Sequence, residues 1–251
     1  MNILSIIIAY GQEVGYSAAN NGAVGYNFTY ILLFIGIAIA SYFVQANLKS
    51  KFEKYSKMPI GLTGREIAEK MLRDNGIYDV TVTSTPGMLT DHYNPTNKTV
   101  NLSKGVYNSA SIAAAAVAAH ECGHAVQHAE GYAPIRLRSQ LVPLVNLSSR
   151  IAGWVILLGI AMMSFTNSAT ICWIGIALVA MSALFAVVTL PVEYNASQRA
   201  VAWLESSGML RDSELDGAHE ALRWAARTYL VAALSAIVTI LYYVALIKNR
   251  R

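Results

Sequence analysis

Polar and apolar positions fall into alternating blocks along the chain. Four apolar runs, about Phe28–Gln45, Ile151–Phe165, Ile171–Leu190 and Tyr229–Ile247, reach or approach the ~20 helical residues needed to cross a bilayer. The second is short and has to recruit flanking residues. The polar blocks, residues 46–150 and 191–227, carry the marks of folded structure rather than of linkers. Thr63-Gly-Arg-Glu66 has capping-box spacing, and the helix it opens should stop near Gly76. Asp79–Thr85 alternates as a strand does, and Lys98–Ser103 reads as a second strand. The string Asp91–Asn97 between them is rich in turn residues, so the two strands are expected to pair as a hairpin. Ser111–Ala129 is rich in alanine and interrupted only by Gly123, which predicts a helix ended by Gly131 and Pro134. Residues 1–27 form a separate N-terminal segment. Its apolar start, Met1–Tyr10, is too short to span and lacks the positive flank and cleavage site of a signal peptide.

Composition and charge turn this pattern into a topology. Apolar residues make up 55% and charged residues 14%, against roughly 25% charged in an ordinary soluble domain. The chain therefore reads as a multi-pass membrane protein. Lys49, Lys51, Lys54, Lys57, Arg65, Lys70, Arg73, Lys98, Lys104, Arg136, Arg138 and Arg150 lie between the first and second runs. Arg199, Arg211, Arg223 and Arg227 lie between the third and fourth, and no Lys or Arg precedes the first. The positive-inside rule puts both polar blocks in the cytoplasm of a cell with an inner (plasma) membrane, and residues 1–27 outside. Runs two and three form a hairpin through Thr166–Thr170. Lys248, Arg250 and Arg251 would fall outside if the fourth run crosses fully, so residues 228–247 either span or lie at the interface. No basic patch interleaved with aromatics points to nucleic acid. Cys122 and Cys172 do not suggest an oxidised scaffold.

The candidate chemistry sits in the alanine-rich helix, at His120-Glu121-Cys122-Gly123-His124. Residues i and i+4 differ by about 40° around a helix, so both imidazoles face one side and can share a metal ion. Glu121 stands at the margin of that face, where it can act as a base without being a ligand. Zinc suits this set: it lowers the pKa of a water it holds to about 7, and a neighbouring carboxylate can take the proton. Cys122 is about 200° from His120 and points away. Gly123 leaves room for an approaching helix.

Catalytic zinc takes three protein ligands. His128 is roughly 12 Å of helix rise from His120, and three successive turns cannot converge on one ion. His219 stands in the charged stretch Arg211–Glu220 and reads as solvated. Glu193 follows Pro191 at the cytoplasmic end of the third run, on the side where His120 lies, and is the preferred third ligand. The competing reading is an interfacial carboxylate paired with Arg199 or another cation, and Arg199 is also a candidate to support a ligand or the transition state. Ser197 shares a helical face with Glu193 and could hydrogen-bond a ligand histidine. The site is then assembled across the 151–190 hairpin.

The strings Leu89–Pro95, Lys98–Ser103, Ala119–Pro134 and Leu190–Ala200 resemble the YugP-type family of bacterial membrane zinc peptidases, from about Tyr30 onward. That family in turn resembles the HtpX-type and prenyl-protein membrane peptidases, which are gluzincin-like. The resemblance implies one Zn2+, Glu193 as ligand, and a downstream acidic position that Ser197 replaces here. It further implies a zincin-like α+β catalytic domain with a small β-hairpin or sheet, borne by a mainly α membrane protein of about four transmembrane helices. Peptide substrate would add beside an edge strand, for which Thr99, Val100, Asn101 and Leu102 are the candidates, with His92 and Tyr93 as donors to the oxyanion. The expected function is a zinc endopeptidase acting on membrane or misfolded proteins. The alternatives are an intramembrane site-2-like protease using Asp216, and a non-catalytic adaptor with a structural metal. The partners are a polypeptide and the bilayer, with the oligomeric state left open.

Overall fold

A computed structural model describes residues 23–166 and 168–248. The expectations for residues 1–22, and for Arg250 and Arg251, lie outside the described residues. Each apolar run proves to be part of a longer helix: α1 (Ala23–Ser56), α5 (Ala133–Thr166), α6 (Thr170–Ser206) and α7 (Asp212–Lys248). The flanking polar residues are mostly good helix formers, so nothing stops the helix where hydropathy falls. Pro143 and Pro191 stand inside α5 and α6, each removing one backbone donor without ending the helix. The short second run thus gains its missing length from the residues before Ile151. The fourth run is one continuous helix to Lys248, and all four helices are long and apolar enough to cross a membrane.

The other elements are short. Helix α2 is Gly64–Asp74, β1 Thr81–Thr85, β2 His92–Asn94, β3 Thr99–Ser103, α3 Lys104–Tyr107 and α4 Ile112–Ala129. The capping box at α2 is complete: Thr63 Oγ1 accepts from Glu66 N at 3.3 Å, and Thr63 N donates to Glu66 Oε2 at 2.8 Å. Helix α4 starts on Ser111, whose side chain accepts from Ala114 N. It ends where Gly131 takes φ +71° and Tyr132 N reaches back to Gln127 O at 2.9 Å, the geometry of a Schellman stop.

The expected hairpin between the two longer strands does not form. β1 and β3 run parallel, Thr81 opposite Thr99 through Thr85 opposite Ser103. The turn-rich string hides a third strand, β2, which pairs antiparallel with β3, His92 opposite Asn101 and Asn94 opposite Thr99. The turn itself is confined to residues 95–98, where Thr96 N donates to Asn94 Oδ1 and Lys98 takes φ +52°. The sheet order is β1-β3-β2. β3 is therefore central, with partners on both sides. Thr99–Leu102 cannot serve as an edge for added peptide, and the edges are β1 and β2.

Contacts divide the chain into two units. One holds the described residues up to Phe43, Gln140–Val188 and those from Tyr229. Its small core joins Ala152, Ile156, Cys172, Ile176, Val179, Tyr243 and Ile247, while Phe28, Ile39, Trp154 and Phe165 stay exposed. No apolar window of the four long helices is more than 28% buried within the protein, which leaves most of their apolar surface for a lipid phase to cover. The other unit is Val44–Ser139 with Thr189–Thr228. Here the alanines of α4, from Ala113 to Ala119, are almost completely buried apart from the partly covered Val117, and they lie in one core with Ile67, Ala68, Met71 and Leu72 of α2 and Val100 and Leu102 of β3. Small side chains let neighbours approach α4 closely, and this core holds its second half, which carries the motif, in place.

Candidate metal centre

Helix α4 presents His120 and His124 on one face, their rings 4.8 Å apart and nearly perpendicular. Helix α6 brings Glu193 against them. Its Oε2 lies 3.2 Å from His120 Nε2 and 3.6 Å from His124 Nε2. The close approach of α6 depends on Gly123: a Cβ there would stand 2.7 Å from the Ala196 carbonyl oxygen. His124 and Glu193 are buried and His120 partly so. Among the described residues, this trio is the one group of His, Cys, Asp or Glu placed to hold a metal ion, each offering one atom within 4.8 Å of the others.

The orientation of each ring is set by neighbours. Ser197 Oγ lies 3.1 Å from His120 Nδ1, one turn beyond Glu193 on the same helix face. His124 Nδ1 lies 3.0 Å from Gln127 Oε1. That oxygen assignment follows from a chain of partners. Arg199 can only donate, and its Nε bonds Asn195 Oδ1 at 2.7 Å. The Gln127 atom facing the same Oδ1 at 2.9 Å must then be its amide nitrogen, which also donates to Val192 O at 2.8 Å. The Gln127 oxygen is left facing His124, so Nδ1 carries the hydrogen and Nε2 of the neutral ring offers a lone pair toward Glu193. A lone pair and a carboxylate oxygen do not attract each other. Only a cation between them, a proton or a metal ion, reconciles the arrangement, and two imidazole nitrogens with one carboxylate oxygen are a donor set that suits zinc. Burial alone would disfavour the charged form of His124, but the hydrogen bond and charge of Glu193 outweigh it and raise its pKa.

Glu121 is buried at the margin of the face, and its Oε2 accepts from the Tyr93 backbone N–H at 2.9 Å. Strand β2 is thereby tied to the carboxylate. The Tyr93 ring lies 5.5 Å from that of His128, and burial lowers the pKa of His128. His92 is exposed, with Nδ1 2.8 Å from Thr90 O, so its ring is engaged in its own turn. Arg199 is not the partner of Glu193. It bridges Asn195 and Glu130, the latter at 2.7 Å. The guanidinium facing Glu193 belongs to Arg138, 3.3 Å from Oε1. Cys122 faces away from the trio, 3.5 Å from the Ala68 carbonyl, and burial holds its thiol pKa up. His219 pairs with Arg223 on the surface, and Asp216 is exposed outside the trio.

Gln127, Asn195 and Arg138 are the residues that sequence reasoning missed. Gln127 had a visible signal, since it follows His124 by three and His120 by seven on the same helix face. Arg138 had none, because its charge was read as topology.

The model of the family described as “Putative neutral zinc metallopeptidase” matches residues 30–248. The “Putative membrane protease YugP” of Bacillus subtilis (strain 168) is 42% identical over 226 residues, covering 88% of this chain and 99% of the relative. No solved structure gives a significant match.

Proposed function

Because the chain belongs to the neutral zinc metallopeptidase family, we propose that it is a membrane-embedded zinc endopeptidase whose one ion is held by His120, His124 and Glu193. The observation that carries this is the convergence of two imidazole nitrogens and one carboxylate oxygen on a single point, beside a carboxylate that is not part of the set. The bound ion would polarise a peptide carbonyl and acidify a water for attack on it. The chain's own residues do the remainder. Glu121 takes the water's proton and passes it to the leaving amine. Ser197 and Gln127 hold the two imidazoles in the orientation that presents Nε2.

Substrate polypeptide is read as lying along β2 rather than β3. β2 is the sheet edge next to the base, and Tyr93 turns its N–H away from β3 toward Glu121. An antiparallel residue directs both its backbone groups to one side, so the Tyr93 carbonyl also faces outward and can accept from an extended peptide. The charge asymmetry of the polar blocks supports a catalytic unit on the cytoplasmic side of the inner membrane. Four helices long and apolar enough to cross a membrane, in the same chain as the site, favour membrane-inserted or misfolded polypeptides as substrates.

The test is Glu121→Gln in the full chain. Peptidase activity on an unfolded polypeptide such as casein should vanish while bound zinc stays at the wild-type level. Retained activity would remove the proposed base. Simultaneous loss of zinc would make Glu121 part of the metal set instead.

A further inference from the structure

Arg138 and Glu193 form an ion pair. Glu193 is almost fully buried, its side chain 4% exposed. Its two oxygens have different surroundings. Oε2 faces both imidazole nitrogens, and Oε1 faces Arg138 at 3.3 Å. The guanidinium arrives from α5, where Ile135, three residues earlier, is buried and turns that side of the helix inward. Arg138 itself stays partly exposed, at 28%. It therefore keeps part of its hydration, and holding it against Glu193 costs less than a fully buried pair would.

We infer that Arg138 is a positioning residue, engaging Oε1 so that Glu193 turns a single oxygen toward His120 and His124. A carboxylate free of this partner can rotate to present both oxygens to one cation. That would fill a coordination position that a hydrolytic site needs open. A lysine could supply the charge but not the planar fork, so it should do only part of the work. The inference rests on the reading of Glu193 as the third ligand.

The experiment uses the full chain in detergent, with Arg138→Ala, Arg138→Gln and Arg138→Lys. Two quantities are read: zinc affinity, by competition with a chromophoric chelator, and the visible absorption of the Co2+-loaded protein, whose intensity falls as a four-coordinate ion gains a fifth ligand. Arg138→Ala and Arg138→Gln should lower zinc affinity by about 10–100-fold, the usual effect of losing a group that orients a ligand. Both should weaken the cobalt band, and Arg138→Lys should restore much of each. Wild-type affinity and spectrum in Ala and Gln would overturn the inference. So would a lysine variant as impaired as alanine with an unchanged cobalt band, which marks a space-filling role. If Arg138→Ala does not fold, the Gln and Lys pair carries the same decision. Glu193→Ala separates the two levels. Zinc retained in that variant sinks the ligand reading, whereas zinc lost there with Arg138 variants unchanged sinks only the role of Arg138.

Discussion

Replacing Gly123 with alanine adds one methyl group at the point where α4 and α6 meet. The new Cβ would lie 2.7 Å from the Ala196 carbonyl oxygen and 3.2 Å from both its carbonyl carbon and its Cα. All three are backbone atoms, so no side chain can swing aside. Restoring an ordinary contact requires the helices to part by about 0.7 Å. Glu193 sits three residues before Ala196 on the same helix, so that shift is applied at the metal set. Overpacking of this kind costs about 1–3 kcal/mol, and up to ~1 kcal/mol is returned because alanine is the better helix former. With the full return, net destabilisation of about 0–2 kcal/mol is expected. The larger consequence is for zinc, since carboxylate and imidazoles are pulled apart by a substantial part of a coordination bond. Thermal unfolding in detergent and chelator competition measure the two effects. Gly123→Ala should unfold at a lower temperature and bind zinc at least tenfold more weakly. If it binds zinc as tightly as wild type, the contact between α4 and α6 does not set the metal geometry, and the reasoning fails.

Three further outcomes follow from the same geometry. Gln127→Leu leaves the buried Nδ1–H of His124 without its acceptor at 3.0 Å, which should cost about 1–3 kcal/mol in unfolding free energy and weaken zinc about 10–100-fold. Ser197→Asp places a carboxylate opposite His120 Nδ1, where a hydroxyl now lies at 3.1 Å. A charge-assisted bond there should tighten zinc binding, measured by the same competition, and weaker binding would show that the site has no room for the acid. Removing the metal with a chelator should lower the unfolding temperature, and added zinc should restore it, because an ion at 100 times its dissociation constant contributes about 2.7 kcal/mol. An unfolding temperature indifferent to zinc would contradict an ion that ties two helices of the fold together.

The parts of this fold that were readable from sequence are those decided by residues close together in the chain. The capping box at Thr63, the stop at Gly131 and the four apolar runs are of that kind. The histidine pair was legible for the same reason, since i and i+4 share a face on any helix. Glu193 rested on more than local spacing, namely on the expectation that a hairpin at 151–190 returns the chain to the side of His120. The sheet was misjudged because β2 has three residues, too few to show alternation, and they lie in a string of Asp, Asn and Pro that reads as turn. The hydrogen bond from Tyr93 to Glu121, a long-range contact, gives that strand its place. Arg199 and Arg138 could not be told apart in sequence. Both are cations near the motif, and only packing decides that one holds Asn195 and Glu130 while the other faces Glu193.

The central claim is that His120, His124 and Glu193 together hold one zinc ion. X-ray absorption at the zinc edge of the purified full chain tests it most directly. Two imidazoles with oxygen ligands at about 2.0–2.2 Å, and loss of zinc in Glu193→Ala, are the predicted result. A sulfur neighbour at about 2.3 Å, or a third imidazole in place of the carboxylate, would contradict it.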